Sequence, residues 1–145
     1  MGQVRAGDAF AVYGLLRKGA SGFARFGLES AFRPLGPCTI PGLIHDLGGY
    51  PGLIEGKGEV VGELFEVADP SVIAKLDAFE DYYPQAPDRS RYLRRQITLL
   101  TPARKAWVYV WNQPVGGAPL VAHGDWLAWV DAGSGQAAVQ PPSTG

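Results

Sequence analysis

Apolar residues along this chain come in short runs separated by Gly and Pro, and only one stretch keeps a helical period over several turns. Phe10-Ala11-Val12-Tyr13 is a buried strand signal stopped by Gly14. Ser21 to Phe32 carries Phe23, Phe26, Leu28 and Phe32 without alternation, which predicts a helix or an irregular connector ended by Pro34, Gly36 and Pro37. Thr39–Leu47 and Glu59–Val67 predict two strands, with the segment from Gly48-Gly49-Tyr50-Pro51-Gly52 to Gly58 as a turn-rich link. Arg94–Leu100 alternates, and Lys105–Trp111 puts Trp107, Tyr109 and Trp111 on one face with Val108 and Val110 on the other. Apolar residues on both faces predict a central strand of a closed or covered sheet. Between the strand pairs, Asp69 is an N-cap, Pro70 suits the first helical position, and Val72, Ile73, Leu76 and Phe79 follow at helical spacing. A second short helix is expected from Asp125, carrying Trp126, Leu127, Trp129 and Val130. One domain over 1–132 is expected, and the tail 133–145, rich in Gly, Ser, Pro and Gln, is expected to be disordered. No internal repeat is visible.

Composition narrows the classes of function. At 145 residues, with 46% hydrophobic and 11% aromatic content, the chain is long enough to bury one core. Thirteen basic against 14 acidic residues give a formal charge of -1, without the basic excess that phosphate-backbone binding uses, so no nucleic acid is expected as a partner. The N-terminal MGQVRAGDAF has no long apolar run, so neither a leader peptide nor a membrane partner is expected, and Ala6 is wrong for N-myristoylation at Gly2. The cytoplasm is the expected location. The lone Cys38 excludes an internal disulfide.

The helix after Asp69 holds a misplaced carboxylate. Advancing about 100° per residue from Val72 puts Phe79 at roughly 340°, Leu76 at roughly 40°, Glu80 at roughly 80° and Ile73 at roughly 100°. Glu80 therefore falls inside the apolar arc, whereas Asp77 and Asp81 lie toward the polar side and read as surface acids. Desolvation and the helix C-terminal dipole both disfavour a charge at Glu80 and push its pKa upward, as a general acid/base working near neutral pH requires. The competing readings are a bond from Glu80 to a buried backbone group, an ion pair with Arg91, Arg94 or Arg95, or a helix that stops before it.

Four segments together resemble one family. Phe10-Ala11-Val12-Tyr13-Gly14-Leu15-Leu16-Arg17-Lys18-Gly19 resembles the opening strand and Tyr-Gly-Ser/Thr-Leu-Arg/Lys loop of the γ-glutamylcyclotransferase-like proteins, which include the γ-glutamylamine cyclotransferases and AIG2-like proteins. Gly42-Leu43-Ile44-His45-Asp46-Leu47-Gly48-Gly49-Tyr50-Pro51-Gly52, Val61-Gly62-Glu63-Leu64-Phe65-Glu66-Val67, and Leu76-Asp77-Ala78-Phe79-Glu80 followed by Tyr92-Leu93-Arg94 keep the family's order over residues 9–112. Asn112 and Gly124-Asp125-Trp126 resemble the ends of some bacterial members. The resemblance implies an α+β fold, a compact mixed β-barrel or strongly curved sheet with a few flanking helices. It also implies Glu80 as the catalytic carboxylate.

Members of that family release 5-oxoproline from γ-glutamyl compounds, the substrate's own α-amine attacking its γ-carbonyl. With nucleophile and electrophile in one molecule, the protein supplies a proton carrier and oxyanion donors, and needs neither a Ser or Cys nucleophile nor a cofactor or metal. The expected partner is thus a small γ-glutamyl substrate. The turn Tyr13-Gly14-Leu15-Leu16 is expected to offer backbone N–H donors, with Gly49 and Tyr50 as pocket wall or structural turn, and Arg94 as a substrate contact or the partner of a buried acid. Leu15 replaces the family's small hydroxyl residue, which leaves backbone donors alone at that position, and the loop 81–91 is longer than in many members.

Other chemistries fit less well. Gly52-Leu53-Ile54-Glu55-Gly56-Lys57-Gly58 lacks the glycine spacing and the Ser or Thr of a phosphate loop. Neither Ser21 nor Ser134 lies in Gly-x-Ser-x-Gly. His45, His123 and Cys38 lack metal-ligand spacing, so no metal is expected. The alternative from another class is a non-catalytic protein of this fold that binds a small amine or amino acid.

Overall fold

The computed structural model describes residues 3–133, so the expectation for the tail concerns residues that, apart from Gly133, lie outside the described ones. Five strands form one mixed sheet in the order β2-β3-β1-β5-β4, where β1 is Ala9–Val12, β2 Phe32–Asp46, β3 Pro51–Val67, β4 Tyr92–Thr98 and β5 Lys105–Trp111. Four short helices flank it: α1 Ser21–Arg25, α2 Leu28–Ala31, α3 Ile73–Phe79 and α4 Trp126–Asp131. The fold is α+β, as expected, but the sheet is curved and unclosed rather than a barrel. Past the end of β4, Thr39 of the edge strand β2 bridges Thr101. Pro102 has no N–H with which to extend that pairing.

The central β1 alternates strictly. Phe10 and Val12 pack with Phe32, Phe65, Leu76, Phe79, Trp107 and Tyr109 beneath α1–α3. Ala9, Ala11 and Tyr13 point the other way, into a second core with Ile40, Leu53, Val60, Val108 and Trp126. The same alternation in β5 gives Trp107 and Tyr109 to the first core and Ala106 and Val108 to the second, as a strand buried on both faces requires.

Two expectations change. The connector 21–32 is a pair of single-turn helices, and Pro34, Gly36 and Pro37 do not end an element but lie inside β2, which already begins at Phe32. The link 48–58 is not mostly turn: it tightens to Leu47–Tyr50, closed by Leu47 N–H donating to the Tyr50 carbonyl at 2.8 Å, and β3 starts at Pro51. Gly and Pro mislead here because two register shifts, at Pro34/Gly36 and Pro41/Leu43, absorb them as bulges. Gly42 shows why: its φ is +137°, and a Cβ there would sit 2.6 Å from the Ile54 carbonyl oxygen.

Asp69 caps the next turn by accepting the Ser71 N–H at 3.0 Å; the first turn, Pro70–Val72, is 3-10 and leads into α3. Asp125 caps α4 through the Ala128 N–H at 3.3 Å. Just before it, Gly124 has φ +74°, and any Cβ would collide with the Glu59 carbonyl oxygen. Strain and clash together predict that Gly124→Ala lowers unfolding free energy by roughly 2–4 kcal/mol. A urea midpoint close to wild type would show that α4 does not depend on this approach.

Candidate active site

α3 ends at Phe79, and Glu80 is its C-cap, its N–H donating to the Leu76 carbonyl at 2.9 Å. The carboxylate is held by the last turn of the helix and is 0% exposed. The chain then reverses at Asp81, whose φ of +59° is the left-handed conformation that Asp tolerates better than most residues.

Glu80 faces the carboxyl end of β1. There β1 and β5 run parallel, paired at Phe10 and Trp107, and beyond that pair they leave a small cavity lined by Ala11, Val12, Tyr13, Gly14, Leu16, Glu80 and Tyr109. Its volume is ≈ 10 Å³, about the room one water needs. The turn 13–17 is closed by Arg17 N–H donating to the Gly14 carbonyl at 3.0 Å.

Three buried tyrosines surround the carboxylate, and each spends its one O–H elsewhere. Tyr13 donates to the Tyr109 carbonyl at 2.8 Å and accepts the Leu53 N–H at 3.2 Å. Tyr92 donates to the Pro51 carbonyl at 2.6 Å, and Tyr109 to Asp77 Oδ1 at 2.7 Å. Burial raises all three phenols well above their usual pKa, and the charge of Glu80 adds to the rise in each, with Asp77 a larger contributor at Tyr109 and Tyr13 at Tyr92. The phenols are therefore neutral walls at physiological pH.

Asp77 is not a surface acid. It is buried, and Arg94 grips it with two hydrogen bonds, Nε to Oδ1 at 2.8 Å and Nη2 to Oδ2 at 2.9 Å. The helical wheel failed because a polar-side position faces solvent only where no strand covers it, and here β4 and β5 do. Asp81 is partly exposed and pairs with Arg91 at 3.4 Å.

Of the expected site residues, Glu80, Tyr13, Gly14 and Leu16 line one cavity. Leu15 is half-buried, and its carbonyl accepts the Gly22 N–H at 2.7 Å. Gly49 donates its N–H to Asp46 Oδ1 at 2.9 Å within the β2–β3 turn, and the Tyr50 ring lies 6.3 Å from that of Trp111, which meets the Tyr92 ring edge-to-face. Arg94 sits behind Tyr109, on Asp77. Sequence reasoning missed Tyr109 and Tyr92 as neighbours of Glu80; the shared face of Trp107, Tyr109 and Trp111 was the available signal. It also missed the clamp on the turn, in which Arg17 Nε reaches Glu63 at 3.0 Å, Arg17 Nη1 reaches Asp125 at 3.0 Å and Lys18 N–H donates to Glu63 at 2.8 Å.

Among the described residues, no group of three or more His, Cys, Asp or Glu side chains is placed to hold a metal ion, and no helix is long and apolar enough to cross a membrane. Burial, with Glu63 nearby, pushes the Cys38 thiol up to about 11, so it is protonated and a poor nucleophile.

Residues 10–128 match the family model described as "Gamma-glutamyl cyclotransferase, AIG2-like". The chain belongs to the AIG2-like γ-glutamylcyclotransferase family. Within that family it is 38% identical over 84 residues to the γ-glutamylcyclotransferase family protein YtfP of Escherichia coli K12, a match covering 58% of this chain and 66% of YtfP, just under two thirds of its length. The solution structure of E. coli YtfP superposes with a TM-score of 0.61 at 33% identity, covering 82% of this chain and 96% of that one. The γ-L-glutamyl-butirosin B γ-glutamyl cyclotransferase of Niallia circulans is 29% identical over 105 residues, covering 70% of this chain and 65% of its own. A mouse AIG2-like crystal structure shares the fold with a TM-score of 0.60 at 23% identity, covering 84% of this chain and 89% of that chain. The family match contains both the turn 13–17 and Glu80.

Proposed function

We propose that this protein is a γ-glutamylcyclotransferase that releases 5-oxoproline from a γ-glutamyl amine or peptide, with Glu80 as the proton carrier. The observation that carries the reading is a fully buried carboxylate at a helix end, opposite the turn Tyr13-Gly14-Leu15-Leu16, in a cavity otherwise walled by apolar and neutral side chains. Burial disfavours the charged carboxylate, which suits a group that must both take and return a proton.

In this reading Glu80 takes a proton from the substrate's α-ammonium. The freed α-amine nitrogen attacks the γ-carbonyl carbon, the C–N bond of the five-membered lactam forms, and the carbonyl π pair moves onto oxygen. When the carbonyl re-forms, the bond to the departing amine breaks and Glu80 returns its proton to that nitrogen. The second proton shed by the attacking nitrogen ends on the released amine, so neither water nor a co-reactant is consumed. Because the three phenol O–H groups are committed elsewhere, donors to the oxyanion come from backbone N–H groups of the turn 14–16. Leu15, Gly49, Tyr50 and Arg94 then act as supports or outer wall rather than as contacts at the reacting carbon.

The test is to incubate the purified full chain with γ-glutamyl-alanine, ε-(γ-glutamyl)-lysine and γ-glutamyl-anilide, and to measure 5-oxoproline by chromatography. Release from at least one is expected. No release from any, together with measurable binding of one of them, favours a binding protein on this fold.

A further inference from the structure

The Asp77–Arg94 pair stands behind the cavity without lining it, and its placement gives it a role beyond packing. Asp77 lies three residues before Glu80 on α3, a separation that sets two side chains about 5–6 Å apart at their Cβ atoms. Arg94 comes from β4, with 6% of its side-chain area exposed and its guanidinium over the rings of Tyr82 at 5.4 Å and Trp107 at 5.1 Å. Tyr109 joins the pair to the cavity: its O–H donates to Asp77 Oδ1, and its ring lines the space beside Glu80.

The charges around Glu80 can be named element by element. β1 supplies Tyr13, β4 supplies Tyr92 and Arg94, β5 supplies Tyr109, and α3 supplies Asp77. α1 brings Arg25 over the Phe79 ring at 5.2 Å, and the loop beyond Glu80 brings the partly exposed Asp81–Arg91 pair. The phenols are neutral. The turn 13–17 adds Arg17, also buried but paired with Glu63 and Asp125; the charges behind Tyr109 are one negative, Asp77, and one positive, Arg94.

We propose that Arg94 is a positioning residue whose charge balances Asp77 so that Glu80, one turn along the same helix, can ionise and be reprotonated near neutral pH. The proposal rests on the reading of Glu80 as proton carrier. With Arg94 removed, the Asp77 carboxylate acts on Glu80 uncompensated and opposes its ionisation. With Asp77 neutralised, the Arg94 cation favours it. The two single changes must therefore move Glu80 in opposite directions, and the double change must cancel. Loosened packing alone has no such sign.

The test is a carboxyl ¹³C NMR titration of full-length protein labelled at Glu, with the Glu80 signal assigned by its loss in Glu80→Gln. Arg94→Met is expected to raise the Glu80 midpoint by about one to two pH units, as one uncompensated buried charge at this separation does. Asp77→Asn is expected to lower it, and the double variant to return it to within about half a unit of wild type. If Arg94→Met fails to fold, Asp77→Asn decides alone: a downward shift supports the proposal, and no shift or an upward one overturns it. Shifts of the same sign in both single variants, or no titration of wild-type Glu80 between about pH 4 and 9, also overturn it. Because the readout is not turnover, a normal titration pattern with an active Glu80→Gln would sink the catalytic reading and leave the charge balance standing.

Discussion

Glu80→Gln is expected to lower kcat for 5-oxoproline release by about 10²–10⁴-fold, the usual contribution of a positioned acid/base. Gln keeps the shape and volume of the side chain and so leaves the fit against Tyr13, Leu16 and Tyr109 intact, but it can neither accept nor return the proton. Fold and ligand binding should survive, so the thermal midpoint stays within a few degrees of wild type while turnover falls. Asp81→Asn, at a partly exposed carboxylate paired with Arg91, should change kcat less than about threefold, in line with the small worth of surface pairs. Near wild-type turnover in Glu80→Gln would remove the assigned role, and equal losses at both positions would assign the effect to the helix end rather than to one carboxylate.

Arg17→Met is expected to be the most damaging change outside the cavity. Arg17 is 8% exposed and holds two carboxylates at once, Glu63 of β3 and Asp125 at the start of α4, while Glu63 also accepts the Lys18 N–H. Methionine fills much of the space but leaves both acids without their common cation. The cost should be roughly 2–4 kcal/mol, between that of an exposed and of a fully buried pair. For a chain of this size that lowers Tm by roughly 10 °C. Well below that temperature, kcat/KM should still be down by about tenfold or more, because the turn that offers the oxyanion donors has lost its anchor. Calorimetry and steady-state kinetics separate the two effects. Full activity in a destabilised variant would mean that the clamp serves the fold alone.

Much of the architecture was legible along the chain. The alternation of β5, the Asp69 and Asp125 caps, and the apolar periodicity of α3 are local signals, and each appears where its pattern predicts it. The first half of β3 was hidden because Gly and Pro usually mark turns, and a bulged hairpin that tolerates them is defined by its partner strand rather than by its own sequence. For the site, burial of Glu80 followed from helical phase, since its environment is the helix's own apolar face. Burial of Asp77 did not, because β4 and β5 cover a side of α3 that the wheel treats as solvent. The clamp at Arg17 joins residues 46 and 108 positions apart in the chain, a distance across which no spacing rule operates.

The place of β1 in the sheet bears on how the protein is made. This strand precedes both of its sheet neighbours, β3 and β5, in the chain, and β5 begins only at Lys105. On the ribosome, β1 can zip onto β3 once residue 67 has emerged, but its other edge stays open until roughly forty further residues follow, a delay of some seconds at ordinary elongation rates. During that interval Phe10 to Val12 present an apolar edge to any passing strand. Chains halted before β5 should therefore aggregate rather than remain as soluble intermediates, and chaperone demand should peak late in synthesis.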